Sequence, residues 1–217
     1  MNYHLSQFLT RKLFVNLVEF NWDQNITLGE GMFGQCYLVE CYSDHKQYCA
    51  KITRETPKKP SDQELLFREV LALQALKHEA IVRFLGFNLY DYKERPKPTI
   101  ITEYLPNGAL DDMLKKEQNH TAPPQWNDTK KQICLIGIAS ALAHIHKANL
   151  MHRDIKPANI LLDENFYPKL CDFGLARTVE AQVEMTQRVG TPIYMAPELL
   201  DDKPNPYDSK SDVYSFG

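Results

Sequence analysis

No apolar stretch in this sequence is long enough to cross a bilayer. The longest, Ile133 to Ala143, is broken by Gly137 and Ser140 and falls well short of the ~20 residues a spanning helix needs. Cysteine is sparse, five in 217 residues, odd in number and without framework spacing. That pattern argues against a disulfide scaffold and for a reducing compartment. Neither sign of charge dominates: 25 Lys and Arg stand against 28 Asp and Glu, a formal net charge of −3. There is no basic field for nucleic acid or for a membrane surface. The N-terminus lacks a signal-peptide layout, because Arg11 and Lys12 interrupt any apolar core there. Internal repeats and low-complexity tracts are also missing. These absences predict a soluble intracellular chain. A hydrophobic fraction of 43% with 24% charged residues is ordinary for a globular protein. The length suffices for one large domain or two modest lobes around a real core.

What is present centres on residues 151–162, M-H-R-D-I-K-P-A-N-I-L-L. Asp154, Lys156 and Asn159 follow one another at short spacing. A carboxylate can orient a hydroxyl and take its proton, an ammonium can neutralise a phosphate, and an amide oxygen can ligate a hard cation. Pro157 rules out a helix interior, so the segment reads as a loop, with Ile160, Leu161 and Leu162 as a short buried strand. Asp172 in C-D-F-G is a second carboxylate suited to a metal. H-R-D alone reads better as a surface turn with scattered charges.

Upstream, L-G-E-G-M-F-G-Q-C-Y-L-V places Gly29, Gly31 and Gly34 between two β-prone segments. Such glycines let a backbone approach phosphate oxygens, although a bulged hairpin explains the pattern as well. A strand follows where a dinucleotide-binding unit would have a helix, which removes that alternative. Lys51 lies in the β-prone Y-C-A-K-I, where a lysine is ordinarily an exposed edge charge. Residues 63–76 show helical periodicity at Leu66, Val70, Leu73 and Leu76. Glu69 lies beside that stripe, either turned toward Lys51 or left as a solvated helix charge.

Residues 81–89 and 98–105 read as strands around a solvated loop at Asp91–Lys97. P-N-G at 106–108 is a turn, and a helix from Ala109 to Lys116 follows. A second helix over 129–147 has Asp128 as its expected N-cap and Ile133, Ile138, Leu142 and Ile145 inside. Residues 1–20, apolar at Leu5, Phe8, Leu9, Leu13, Leu17 and Phe20, are compatible with an amphipathic helix. Residues 178–189 have no periodicity and read as a loop, closed by G-T-P-I-Y-M-A-P-E.

The string H-R-D-I-K-P-A-N followed by D-F-G resembles the catalytic and metal-binding loops of the eukaryotic protein kinases. Glycine loop, lysine, helix glutamate, H-R-D, D-F-G and A-P-E occur in the family's order across roughly residues 22–217. Lys156 and Thr191 resemble the serine/threonine kinases, and the wider sequence style is similar to their tyrosine-kinase-like group. The resemblance implies an α+β, bilobal kinase fold. Its parts are an N-terminal extension (1–21), a small lobe (22–105) with a five-stranded antiparallel sheet, and a mostly helical large lobe (106–217). It further implies transfer of the ATP γ-phosphoryl to a protein serine or threonine in signal transduction, with Mg²⁺. Asp154 is then the catalytic base, with Lys156 beside the transferred group, and Lys51 paired to Glu69 holds the phosphates. Asn159 and Asp172 take the metal. Leu28, Gly29, Gly31, Gly34, Cys36, Cys49, Thr102, Glu103, Leu105 and Leu161 surround the nucleotide. Cys36 departs from the family's usual valine and Cys49 from its alanine. Arg153 and Arg177 are suited to clamp a phosphate placed on Thr186 by an upstream kinase. Ending at Gly217, the chain is expected to be a truncated, incomplete large lobe. That leaves a second possibility, a pseudokinase-like binding module or inactive fragment.

Overall fold

The computed structural model describes residues 13–31, 34–178, 190–200 and 208–217. They form two compact units. One combines the chain up to Gln74 with Arg83–Tyr104; the other combines Ala75–Val82 with Leu105–Gly217.

The first unit is an antiparallel sheet of five strands: β1 (Phe20–Gly31), β2 (Gly34–Cys41), β3 (Gln47–Thr53), β4 (Phe84–Asn88) and β5 (Thr99–Glu103), in the order β1-β2-β3-β5-β4. Alternation along β3 sorts its side chains by face: Tyr48 and Ala50 join Leu17, Phe20, Val39, Cys41 and Ile101 in one apolar cluster. Cys49 and Lys51, at the alternate positions, point to the opposite face. Helix α1 (Pro60–Ala75) opens on a proline, whose missing N–H is harmless in a first turn. It buries Leu66, Phe67, Val70 and Leu73, each contributing roughly 1.5–3 kcal/mol. The helix expected over 1–20 falls largely outside the described residues. Where the chain is described it is not that helix. Phe14 bridges to Phe87, Leu17–Glu19 is a single 3-10 turn, and Phe20 begins β1. Asn16 caps the start of that turn, its side chain accepting from the N–H of Val18.

The second unit is mostly helical: α2 (Leu110–Gln118), α3 (Asp128–Lys147) and α4 (Ser209–Phe216). Its short strands are β6 (Leu150–Met151), β7 (Ile160–Leu162), β8 (Pro168–Leu170) and β9 (Arg177–Thr178), with β6 paired to β9 and β7 to β8. Cys134, Ile138, Ala141, Leu142 and Ile145 make the buried stripe of α3. Its N-cap is Asn127 rather than Asp128, because the Asn127 side chain accepts from the N–H of Lys130. Residues 75–82 join this unit through mutual backbone bonds: Val82 N to Leu170 O and Leu170 N to Ala80 O, both 2.9 Å. Among the described residues no helix is long and apolar enough to cross a membrane.

Candidate active site

In the second unit, β6 delivers the chain into His152-Arg153-Asp154 at the end of α3. A 3-10 turn over Pro157–Asn159 then returns it into β7. Pro157 sits at the head of that turn, where its lack of an N–H is tolerated. The turn folds Asn159 back on Asp154: its Nδ2 donates to Asp154 Oδ2 and to Asp154 O, both at 2.8 Å. Lys156 Nζ lies 2.7 Å from the same Oδ2, and Thr191 Oγ1 donates to Oδ1 at 2.8 Å. Lys156 also donates to Thr191 Oγ1 at 2.8 Å, closing a ring of three side chains around one carboxylate. Gly190 makes this approach possible with φ +116, a conformation only glycine adopts readily. A Cβ there would lie 2.8 Å from Arg153 O.

The backbone beneath Asp154 is held by Asp212 of α4. Asp212 Oδ1 accepts from Arg153 N at 2.8 Å, and Oδ2 accepts from His152 N and His146 Nε2, each at 2.9 Å. Burial works against charge on this carboxyl, which is 2% exposed. The bonds from His146 and the two amides, with His152 nearby, outweigh it and hold the pKa below the ordinary range. Arg153 adopts φ 70, a left-handed conformation that Asp212 holds through the amides of His152 and of Arg153 itself. His152, fully buried, accepts from Asp154 N at Nδ1 (3.3 Å) and donates from Nε2 to Cys171 O (2.9 Å). That bond ties the first motif to the second, since Cys171 precedes Asp172. Cys171 N also donates to Asn159 O at 2.9 Å, and Asp172 is left-handed at φ 61.

In the first unit, Lys51 of β3 and Glu69 of α1 form an ion pair at 2.6 Å, with side chains 22% and 8% exposed. Glu69 is therefore turned to the sheet, not to solvent. Removing one member of a pair this buried costs about 3–5 kcal/mol. The glycine hairpin joins β1 to β2 with Gly29 opposite Cys36 and Gly31 opposite Gly34; residues 32 and 33 lie outside the described residues. A Cβ on Gly34 would overlap the carbonyl oxygen of Ile52, so close strand packing demands glycine there. Cys36 stands opposite Lys51, and Cys49 opposite both Leu38 and Thr102.

Of the residues singled out from sequence, Leu28, Gly29, Gly31, Gly34, Cys36, Cys49, Lys51, Glu69, Thr102 and Glu103 belong to the first unit. Asp154, Lys156, Asn159, Leu161, Asp172 and Leu105 belong to the second. β5 ends at Glu103, short of the expected limit at 105, so Thr102 and Glu103 are its last two residues. Thr186 lies outside the described residues. Thr191, read only as a marker of hydroxyl specificity, touches the carboxylate itself. His146 was not singled out at all, since a histidine in the last turn of a helix carries no local sign of its distant partner. Among the described residues no three His, Cys, Asp or Glu side chains gather as a metal cage. An amide oxygen and a carboxylate, Asn159 and Asp172, suit a hard cation that keeps water or phosphate oxygens in its remaining positions.

The protein kinase domain family model matches residues 22–217. Among curated proteins, the chain is 35% identical to the serine/threonine-protein kinase STY46 of Arabidopsis thaliana, covering 88% of this chain and 33% of that one. It is 33% identical to the human serine/threonine-protein kinase Nek5, over 88% of this chain and 26% of that one. It is 34% identical to the Arabidopsis serine/threonine-protein kinase CTR1, over 88% and 22% respectively. The chain thus spans about a third or less of the length of these relatives.

Proposed function

The chain belongs to the protein kinase domain family, and from that premise we propose that it transfers the γ-phosphoryl group of ATP to serine or threonine hydroxyls of a protein. The observation that carries this is that Asp154 is held on three sides with one acceptor position left. A carboxylate offers about four acceptor positions. Three are taken, by Thr191, Lys156 and Asn159. The remaining one receives the acceptor hydroxyl, orients it and takes its proton as the oxygen attacks phosphorus. Lys156, already beside Asp154, offsets charge on the transferred group. Lys51, held by Glu69, binds the α- and β-phosphates, and the glycine hairpin covers them with backbone amides. Leu28, Cys36, Cys49, Thr102 and Glu103 of the first unit, and Leu105 and Leu161 of the second, are the residues we assign to adenine binding. Asn159 and Asp172 would hold Mg²⁺, which when bound neutralises phosphate charge. All five cysteines are free thiols, which suits a cytoplasmic setting.

Regulation by an upstream kinase acting on Thr186 fits the placement of Arg177. The β6–β9 pair sets Arg177 opposite Met151, two residues from Arg153. Phosphorylated and unphosphorylated enzyme with equal activity would remove that part of the reading. The central test is transfer of labelled phosphate from ATP to a generic basic protein, compared with Lys51→Met and Asp154→Asn. Both substitutions should abolish transfer. Near-normal turnover in either would show that the roles are misassigned.

A further inference from the structure

One row of residues runs across the whole sheet of the first unit. Cys36 stands opposite Lys51, Lys51 opposite Ile100, and Ile100 opposite Phe87. Residues directly opposed across antiparallel strands share a face. This is the face of α1, because Lys51 bonds to Glu69 and the Phe87 ring meets Phe67 edge-on at 6.5 Å. β4 ends the order of strands, yet the row continues past it. Phe14 forms a parallel bridge with Phe87, Val15 N donates to Phe87 O at 3.0 Å, and Asn88 Nδ2 donates to Val15 O at 2.9 Å. The Phe14 and Phe87 rings lie 4.9 Å apart. Gly86 leaves room for this crossing, since a Cβ there would overlap Val15 Cγ1 and lie 2.7 Å from Leu13 O. Phe87 is fully buried while Phe14 is 41% exposed, so the segment before β1 lies over the outer side of the row.

We infer that Phe14 is a positioning residue. Through Phe87 and Phe67 it sets the seat of α1, and with it the Lys51–Glu69 pair. Glu69 is two residues beyond Phe67, about 3 Å along the helix axis, so a rigid α1 cannot shift at one without the other. The pair spans 2.6 Å, a charge-assisted bond whose geometry follows any movement of α1 against β3. The segment preceding β1 is thereby wired to the lysine that holds phosphate, a consequence that rests on the proposed phosphotransfer.

Hydrogen exchange on the whole chain tests the seat of α1 directly, with Phe14→Ala, Phe14→Leu and a control, Phe20→Leu. Phe20 packs edge-on to Tyr48 in the cluster on the opposite face, and its truncation loosens the same sheet without touching the row. Phe14→Ala should speed exchange of the α1 amides from Leu66 to Leu73 about five- to tenfold, the size of one lost aromatic contact. Phe14→Leu should return it close to wild type, and Phe20→Leu should leave α1 unchanged. In phosphotransfer, Phe14→Ala should lower kcat about as much as it speeds α1 exchange, with the KM for the protein substrate unmoved and the leucine variant rescuing. Unchanged α1 exchange in Phe14→Ala, or equal acceleration in Phe20→Leu, overturns the inference. A wild-type chain that transfers no phosphate overturns the proposed function instead, and the exchange data still decide the coupling.

Discussion

Replacing Asp212 with asparagine keeps the shape and removes the charge. Three donors converge on this carboxylate: Arg153 N, His152 N and His146 Nε2. Bonds to a charged acceptor contribute about 1.5–3 kcal/mol each and neutral ones about 0.5–1.5. Asparagine also turns one acceptor into an NH₂ group facing N–H donors, leaving a buried polar group unmatched at about 1–3 kcal/mol. A local loss of about 3–5 kcal/mol follows, a large share of the 5–15 kcal/mol that holds a typical domain. Because the two units need not unfold together, the assay is residue-resolved. Amides of His152 and Arg153 should exchange at least a hundredfold faster in Asp212→Asn, while those of β2 and β3 keep their wild-type rates. The acid limb should change as well. The folded pKa of Asp212 lies below its unfolded value. Its stabilisation is therefore complete above an unfolded pKa of about 3.9 and lost as pH falls through the lower folded value. Asp212→Asn should lack that part of the acid transition. A variant whose His152 and Arg153 amides stay protected, with an unaltered acid limb, would refute the bracing role.

Three further outcomes are expected. Thr191→Ala should lower kcat about 10- to 100-fold, the loss of one hydrogen bond to a charged group, and Thr191→Ser should restore it; equal rates would detach Thr191 from Asp154. Gly34→Ala should destabilise the first unit by about 1–3 kcal/mol in denaturant titration, since the new methyl meets Ile52 O; an unchanged midpoint would contradict the packing. The Cys134 thiol, pushed up to about 11 by burial, is at pH 8 about one part in a thousand thiolate. Iodoacetamide should therefore label it only after unfolding, and fast labelling of the native chain would show the site to be open.

Much of the site was legible because its chemistry sits in contiguous strings. H-R-D-I-K-P-A-N sets base, cation and amide within six residues, and D-F-G follows at a fixed interval. The helix stripe at Leu66, Val70 and Leu73 set Glu69 beside the buried face but left two orientations open, and the ion pair with Lys51 decides between them. What stayed hidden depends on distance along the chain. Thr191 reaches Asp154 across 37 residues and Asp212 reaches His146 across 66, and nothing local to either partner signals the other. Residues 13–20 failed for the same reason. Their apolar spacing suits a helix, but Phe14 and Val15 find a strand edge at Phe87. Asn127 and Asp128 are both good caps, and only the reach to Lys130 N chooses between them.

The crossing of residues 75–82 into the second unit has a consequence in time. Ala80, Ile81 and Val82 are buried there against a strand that ends at Leu170, which follows Ala80 by 90 residues (170 − 80). At the ~5–20 residues per second of synthesis, those apolar residues wait roughly 5–18 s on the ribosome before their partner emerges. The first unit meets a similar interruption, since Arg83–Tyr104 must be made before its sheet can close. The nascent chain therefore passes through a stage in which the sheet can be complete while Ile81 and Val82 have nothing to pack on. In that window a chaperone or a neighbouring nascent chain competes for them.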